Sequence, residues 1–317
     1  MSQARAALLW LLLLLPLAAA AERGPALPDY PVERVADGVY VIHGPLELPN
    51  PRNQGFMNNP GFVVTSRGVV VIDPGSSVQT GEMVLRAIRR HSDRPVIAVF
   101  NTHIHGDHWL GNQAIREAYP EAVIHGHPNM LALIEAGEGQ AWVERIERMS
   151  DGKSRGTRVV APGHAVDAGD TLRYGDHSFR IHHYGKAHTT SDIMVEVVEA
   201  STLFLGDNVL NRRIPRLDDA DVQGNIEACT RILATGARVH VPGHGPTGGP
   251  EVTRHFRTYL QTLYDTVKRF YDEGLSDFEM KPQVAAALQD YADWPGFDEQ
   301  LGKHISITWL QVEAAEF

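Results

Sequence analysis

The sequence predicts an α/β layered sandwich with strands at its centre and helices outside. Three observations carry that expectation. Strand-rich stretches with β-branched residues occur in both halves, and each is followed by helical spacing. The run PVIAVFNT is continuously apolar, as a strand buried on both faces requires. Turn residues punctuate the strands at regular places, at Ser66–Gly68, at Gly175 and Asp176, and at Glu199 to Ser201.

The elements follow in order. GVYVIHG (Gly38 to Gly44) reads as a strand, and FVVTSRGVVVID (Phe62 to Asp73) as a hairpin. Ser77 to His91 has helical spacing, with Met83, Val84, Ala87 and Ile88 on one face. After PVIAVFNT, the spacing predicts a helix from Trp109 to Tyr119, the strand AVIHG, and a helix from Pro128 to about Ser150. TLRYGDHSFRIHHYG and DIMVEVVEASTLFLGD read as two further hairpins. A helix over Val222 to Thr235, the strand RVHVPGHG and a mostly helical tail from Glu251 complete the chain. With no linker-like stretch between the halves, residues 30–250 are expected to form one domain. Residues 251–317 are expected to be a helical extension packed on it.

Composition narrows the class. The 317 residues are 43% hydrophobic and carry a formal charge of -10. That balance argues against nucleic acid, whose binding needs a basic face. Residues 1–21 combine one arginine, a leucine-rich run broken by Pro16 and a row of alanines. This is the pattern of a secretory signal peptide, with cleavage expected after Ala20 or Ala21. The run is short for a bilayer span. The expectation is an exported protein, in a bacterial periplasm, with no stable membrane anchor after cleavage. Cys229 is the only cysteine, so no intrachain disulfide can form. A metal site would use nitrogen and oxygen donors unless Cys229 folds against it.

The stretch FNTHIHGDHWLGN, Phe100 to Asn112, gathers three histidines and an aspartate into six positions where a buried strand ends. Alternate residues of an extended segment share a face, so His103 and His105 can reach one ion. Gly106 permits a bend that turns Asp107 and His108 toward a second. Three more ligand-type residues follow apolar strands with glycine close by: His188 in YGKAHTTSD, Asp207 in TLFLGDN and His244 in VHVPGHGPT. Strand ends are where layered α/β folds place their chemistry.

In order and spacing, HIHGDH, AHTTSD, LFLGDN and PGHGP resemble the metallo-β-lactamase-fold superfamily of metal-dependent hydrolases over Gly38 to Gly249. The resemblance implies a four-layer αββα sandwich with a metal centre at one edge between the sheets. It implies that His103, His105 and His188 hold a first metal, that Asp107, His108 and His244 hold a second, and that Asp207 bridges them. Two Zn2+ per chain are expected, with Mn2+ or Fe2+ as other candidates. The implied chemistry is attack by a metal-bound hydroxide on an ester, thioester, lactone or amide of a small molecule, with Asp107 assisting as the catalytic carboxylate. Lactam-hydrolysing members often carry Cys or Ser at the bridging position, so Asp207 argues against β-lactamase as the main role. Histidine at His105, where flavin-partnered diiron members have Glu, favours hydrolysis. The runs GDHWLGNQAIREAYP and GDNVLNRRIPRLDDADVQGNIEACTRIL are similar to exported zinc metallohydrolases associated with quinoprotein relay systems. The alternatives are a mononuclear iron oxygenase of sulfur compounds, a β-lactamase and a non-catalytic metal or cofactor accessory protein. No protein partner is indicated.

Around this constellation, Asp73 in VVVIDPG is either an orienter of a ligating imidazole or a turn former. Thr102 and Thr189 flank ligands. His304 is a candidate to reach the pocket from the C-terminal tail. One of Arg212 and Arg213 is placed to meet an anionic substrate. Trp109 either walls the site or packs in the core. His127 before Pro128 reads as a helix start, and only one of His182 and His183 can face inward. His125 carries no assigned role. The Pro/Asn-rich segment Leu46 to Asn59 either overhangs the site or is a surface loop.

Overall fold

The computed structural model describes residues 22–316; the expected leader, residues 1–21, lies outside them. The first sheet runs in the order β1 (Val32–Ala36), β2 (Val39–Ile42), β3 (Gly61–Val64), β4 (Val69–Ile72), β5 (Val96–Phe100), β6 (Val123–Gly126), β7 (His164–Ala165). β1 to β4 form antiparallel pairs, and β4 to β7 form parallel ones. The second sheet has the order β12 (Val239–Val241), β11 (Thr202–Phe204), β10 (Met194–Val197), β9 (His177–His182), β8 (Thr171–Tyr174). It is antiparallel except for the parallel β11–β12 pair.

The pleat sorts side chains between layers. Val39, Val41, Val63, Val70, Ile72, Ala98 and Phe100 face Phe179, Ile181, Val195, Val197, Phe204 and Val241 in a core between the sheets. Their neighbours Ile42, Phe62, Val69 and Val71 turn outward, under helices α1 (Val78–Arg89) and α3 (Asn112–Ala118). Met194 and Leu203 turn the other way, under α6 (Val222–Ala234), α7 (Pro250–Asp272) and α9 (Phe297–Ala314). The result is the αββα sandwich. The C-terminal helices, with α8 (Lys281–Ala287) between α7 and α9, share their core with the second sheet. Among the described residues no helix is long and apolar enough to cross a membrane.

Two helices expected as continuous are broken. The one after the histidine motif is α2 (Gly106–Trp109), then α3. Between them Gly111 N donates to Gly75 O at 2.8 Å, and a Cβ on Gly111 would lie 2.3 Å from Pro74 O. That close approach bends the chain away from helical continuation. The next is α4 (Pro128–Glu135) and α5 (Glu138–Met149), separated where Gly137 adopts φ 106°, a conformation glycine takes without Cβ strain. The short edge strands β1 and β7 were not anticipated. Only three of the five residues of VERVA are apolar, and β7 has two residues, too few for a period to show.

Candidate metal centre

The topology brings several carboxyl strand ends to one edge. Asp73 follows β4, His103 to His108 follow β5, Asp207 follows β11 and His244 follows β12; both the β4–β5 and β11–β12 pairs are parallel. The β9–β10 loop supplies His188. It is tied to the β5 end by Ile193 N donating to Thr102 O at 2.8 Å and Ile104 N to Ser191 Oγ at 3.1 Å. Thr189 closes that loop, its N–H donating to Asp192 Oδ2 at 2.8 Å. Gly243 allows the tight convergence. A Cβ there would sit 2.0 Å from Asp207 Oδ1.

The seven residues come together in two groups. Ligand-type atoms of His103, His105, His188 and Asp207 lie within 4.8 Å of one another, and so do those of Asp107, His108 and His244. Asp207 Oδ2 joins the groups, 3.6 Å from His188 Nε2 and 3.3 Å from His244 Nε2. All seven are buried.

Hydrogen bonds set which ring nitrogen three of the imidazoles present. His108 Nδ1 donates to Asp73 Oδ2 at 2.8 Å, so Nε2 faces the cluster. Asp73 is itself held by Thr102, whose N–H and Oγ1 donate to its two oxygens at 2.8 and 2.7 Å. It is thus the orienting carboxylate, and its φ of 50° is also that of a turn residue. His244 Nδ1 donates to Met57 O at 2.8 Å, and His105 Nε2 to Asp219 Oδ2 at 3.0 Å. In their neutral forms His108 and His244 then aim two lone pairs at each other across 3.3 Å. His103 Nε2 is buried with no hydrogen-bond partner. Facing lone pairs and an orphaned buried nitrogen are unfavourable unless an electron-pair acceptor lies among them. A divalent cation fits this donor set.

The side chains' proton affinities divide in the same way. Burial, then the adjacent His108, keeps His103 well below an ordinary imidazole, and burial with His105 holds His188 down to about 3. Burial also opposes charge on His108 and His244. There, however, the Asp207 carboxylate, aided on His108 by Asp107 and Asp73, outweighs it and raises both. Burial would raise Asp107 and Asp207, yet these imidazoles hold both carboxyls well below the usual range.

The surrounding candidates separate cleanly. Segment Leu46 to Asn59 overhangs the site: Leu46, Leu48, Pro49 and Met57 line the cavity above it. Asn59 Nδ2 clamps the His244 turn by donating to Pro242 O and Gly245 O at 2.8 and 2.7 Å. Arg213 lines the cavity and is 5% exposed, while Arg212 does not line it. Trp109 is a core residue that braces the motif by donating from Nε1 to Ile104 O at 2.7 Å. Trp142 is the wall instead, its ring 4.9 Å from that of His105. His127 caps α4 through Nδ1, which accepts from Asn129 N. His125 pairs with Tyr174 OH, His182 with Glu196, and His183 with Asp192 O, all outside both groups. Cys229 is buried on α6, its thiol pushed up to about 12 by burial, and belongs to neither group. Asp219, Met57 O and Asn59 were missed. Asp219 lies in PRLDDAD, but nothing in that acidic run indicates which carboxylate turns inward.

His304 does not line the cavity. It is fully buried, accepts from Tyr259 OH at Nδ1 (2.7 Å) and donates from Nε2 to Pro215 O (3.0 Å). Burial holds it down to about 4 against the ordinary 6.5. The unfolded chain therefore binds this proton first, so stability is lost as pH falls from 6.5 toward 4, by up to about 3 kcal/mol. Urea titrations at pH 7 and pH 5 should show a smaller loss in His304→Gln than in the wild type. An equal loss would mean the histidine does not titrate abnormally.

The Metallo-beta-lactamase superfamily family model matches residues 53–244, which contain all seven residues. A metallo-beta-lactamase from Pontibacter korlensis superposes with a TM-score of 0.60 at 20% identity, covering 74% of this chain and 99% of that one. DIM-1 metallo-beta-lactamase exposed to ceftazidime superposes with a TM-score of 0.59 at 16% identity, covering 75% and 99%. At these identities the two structures speak for the fold. The family match spans more than half of the chain, which therefore belongs to the metallo-beta-lactamase superfamily as a metal-dependent hydrolase.

Proposed function

We propose that this chain is an exported dinuclear zinc hydrolase that cleaves an ester, thioester, lactone or amide of a small molecule. The observation that carries the reading is the pair of ligand groups joined through Asp207. His103, His105 and His188 would hold one ion, Asp107, His108 and His244 the other, and Asp207 would touch both. Five imidazoles and two carboxylates suit zinc, with manganese and iron as competitors. When bound, the ions supply Lewis acidity that polarises the carbonyl and makes water a nucleophile near neutral pH.

The chain's own side chains do the rest. Asp73 and Asp219 fix the tautomer and aim of His108 and His105. Leu48, Met57, Trp142 and Leu210 give the cavity above the groups an apolar wall. Asp107 lines the cavity, where its carboxylate can accept the proton of the attacking water and pass it to the leaving group. Asp107→Asn should therefore cut turnover even where metal content is kept; full turnover with normal metal would remove that role. Asp73→Asn tests the support. Asn tolerates the positive φ but lacks the charge, so zinc affinity should fall about 10- to 100-fold, as read by competition with a chromophoric chelator. Unchanged affinity would make Asp73 only a turn residue.

The experiment for the function as a whole is elemental analysis of the purified chain combined with an acyl-hydrolysis screen. Near two zinc per chain and chelator-sensitive turnover support the proposal. One iron per chain with oxygen consumption on sulfur compounds supports the mononuclear alternative, and no turnover on any acyl compound supports a carrier. The names of the fold neighbours put β-lactams in the screen. Asp207 at the joining position predicts that they are poor substrates.

A further inference from the structure

The cavity above the two ligand groups, about 270 Å³ in volume, is built from unlike elements. Helix α5 lends it Trp142, Ile146 and Met149. At spacings of i, i+4 and i+7 these side chains form one apolar stripe along the helix. The stripe begins at the metal centre, where the Trp142 ring lies 4.9 Å from that of His105. Met149 stands two turns further on, about 10 Å away at the rise of an α-helix. The overhanging segment adds Leu46, Leu48 and Pro49 to the same cavity. It meets α5 closely, since a Cβ on Gly55 would lie 2.9 Å from Ile146 Cγ2. Beyond the ligand groups, the charged and amide side chains come from elsewhere: Arg213, Arg216, and Glu299, Gln300 and Lys303 at the start of α9.

The cations of the cavity have counter-charges. Arg216 and Lys303 pair with Asp218. Burial works against the Arg213 charge, and Asp107 and Asp207 work for it. The apolar surface has no such partner. Leu48 is 54% exposed at the rim of the cavity, and apolar surface in water is unfavourable until an apolar ligand covers it. We propose that the trough between α5 and the overhanging segment is the subsite for an unbranched apolar acyl chain. The substrate is then a medium-chain acyl ester or thioester, and this rests on the hydrolase reading above. The scissile carbonyl sits over the ligand groups, and the chain runs along Trp142, Ile146 and Met149 beneath Leu48. Water gives its oxygen to the acyl carbon as the bond to the leaving oxygen or sulfur breaks. The leaving atom takes a proton, and the chain departs as its carboxylate. With about 1.3 Å of advance per carbon, from staggered C–C bonds of about 1.5 Å, the stripe spans about eight carbons.

The test is a series of p-nitrophenyl esters from acetate to decanoate, read as kcat/KM on the zinc-loaded chain. Values should rise about two- to fourfold per added methylene, as burial of each CH2 allows, and level off near octanoate. Met149→Trp fills the far end, so the octanoate-to-butanoate ratio should fall about tenfold and the series should level off at shorter chains. Leu48→Ser, on an exposed residue, should lower the same ratio by about threefold. Alkyl acetates of rising alcohol length should show no such rise. A flat acyl series, ratios unchanged in both variants, or a rise confined to the alcohol series overturns the proposal. Should the Trp variant fail to fold, Leu48→Ser decides alone, and a fall of less than about twofold overturns it. If the wild type cleaves acetate as well as octanoate, the hydrolase reading stands and the acyl trough alone falls. If it cleaves no ester, the hydrolase reading fails for esters. Calorimetric binding of octanoate and butanoate to wild type and Leu48→Ser then decides the trough. Tighter octanoate binding that the variant weakens supports it, and equal binding of the two acids overturns it.

Discussion

Asp207→Ala should lower kcat/KM by about 10³-fold or more and reduce bound zinc from near two ions per chain toward one. Asp207 Oδ2 reaches ligand nitrogens of both groups, at 3.6 Å from His188 Nε2 and 3.3 Å from His244 Nε2. Its removal takes away a shared donor and half of the negative charge that Asp107 and Asp207 bring to five imidazoles. Losing charge stabilisation at a reacting carbonyl costs on the order of 10²–10³ for a single donor, and losing an ion costs more. The variant should still fold, because Asp207 sits in a short turn rather than in an apolar layer. Circular dichroism, metal analysis and steady-state kinetics on one preparation check the outcome. Near-normal turnover with two zinc ions retained would mean that the two groups work independently.

The second large effect is on stability. Removing divalent ions with a chelator should lower Tm by about 10 °C, because a ligand present at about 1,000 times its Kd stabilises the folded state by roughly 4 kcal/mol. The gap should widen with pH. His108 and His244 hold protons more tightly than ordinary imidazoles: burial opposes the charge, but Asp207 foremost outweighs it. A proton on either ring competes with metal, since an imidazole ligates only when neutral. At pH 6 the competition is strong, and at pH 8 it is weaker. Paired melts with and without chelator should therefore differ more at pH 8. A gap that is absent, or largest at pH 6, would contradict the reading.

The sandwich was legible because its strands carry β-branched runs and its turns carry Gly, Ser and Asp. TLRYGDHSFRIHHYG folds as the hairpin β8–β9, and DIMVEVVEASTLFLGD as β10–β11. The helix breaks at Gly111 and Gly137 were not legible. One arises from backbone approach to Pro74 and the other from a positive φ, and neither alters the apolar period. The seven clustered residues were legible because four crowd the end of one strand and the other three follow apolar runs with glycine close by, although His188 lies mid-loop between β9 and β10. Their supports were harder to read. Asp73 looked equally like a turn former and is in fact both, while Met57 acts through its carbonyl, which no side-chain pattern reports. By sequence His304 is a candidate to reach the pocket from the tail, and it does not line it. Its part is to pin the strand of chain behind Arg213, which depends on how α9 packs on the second sheet.

The most direct measurement is anomalous diffraction at the zinc edge from crystals of the zinc-loaded chain. Two strong peaks are expected, one among His103, His105, His188 and Asp207 and the other among Asp107, His108, His244 and Asp207. A single peak, or zinc only at exposed histidines such as His164, would contradict that expectation.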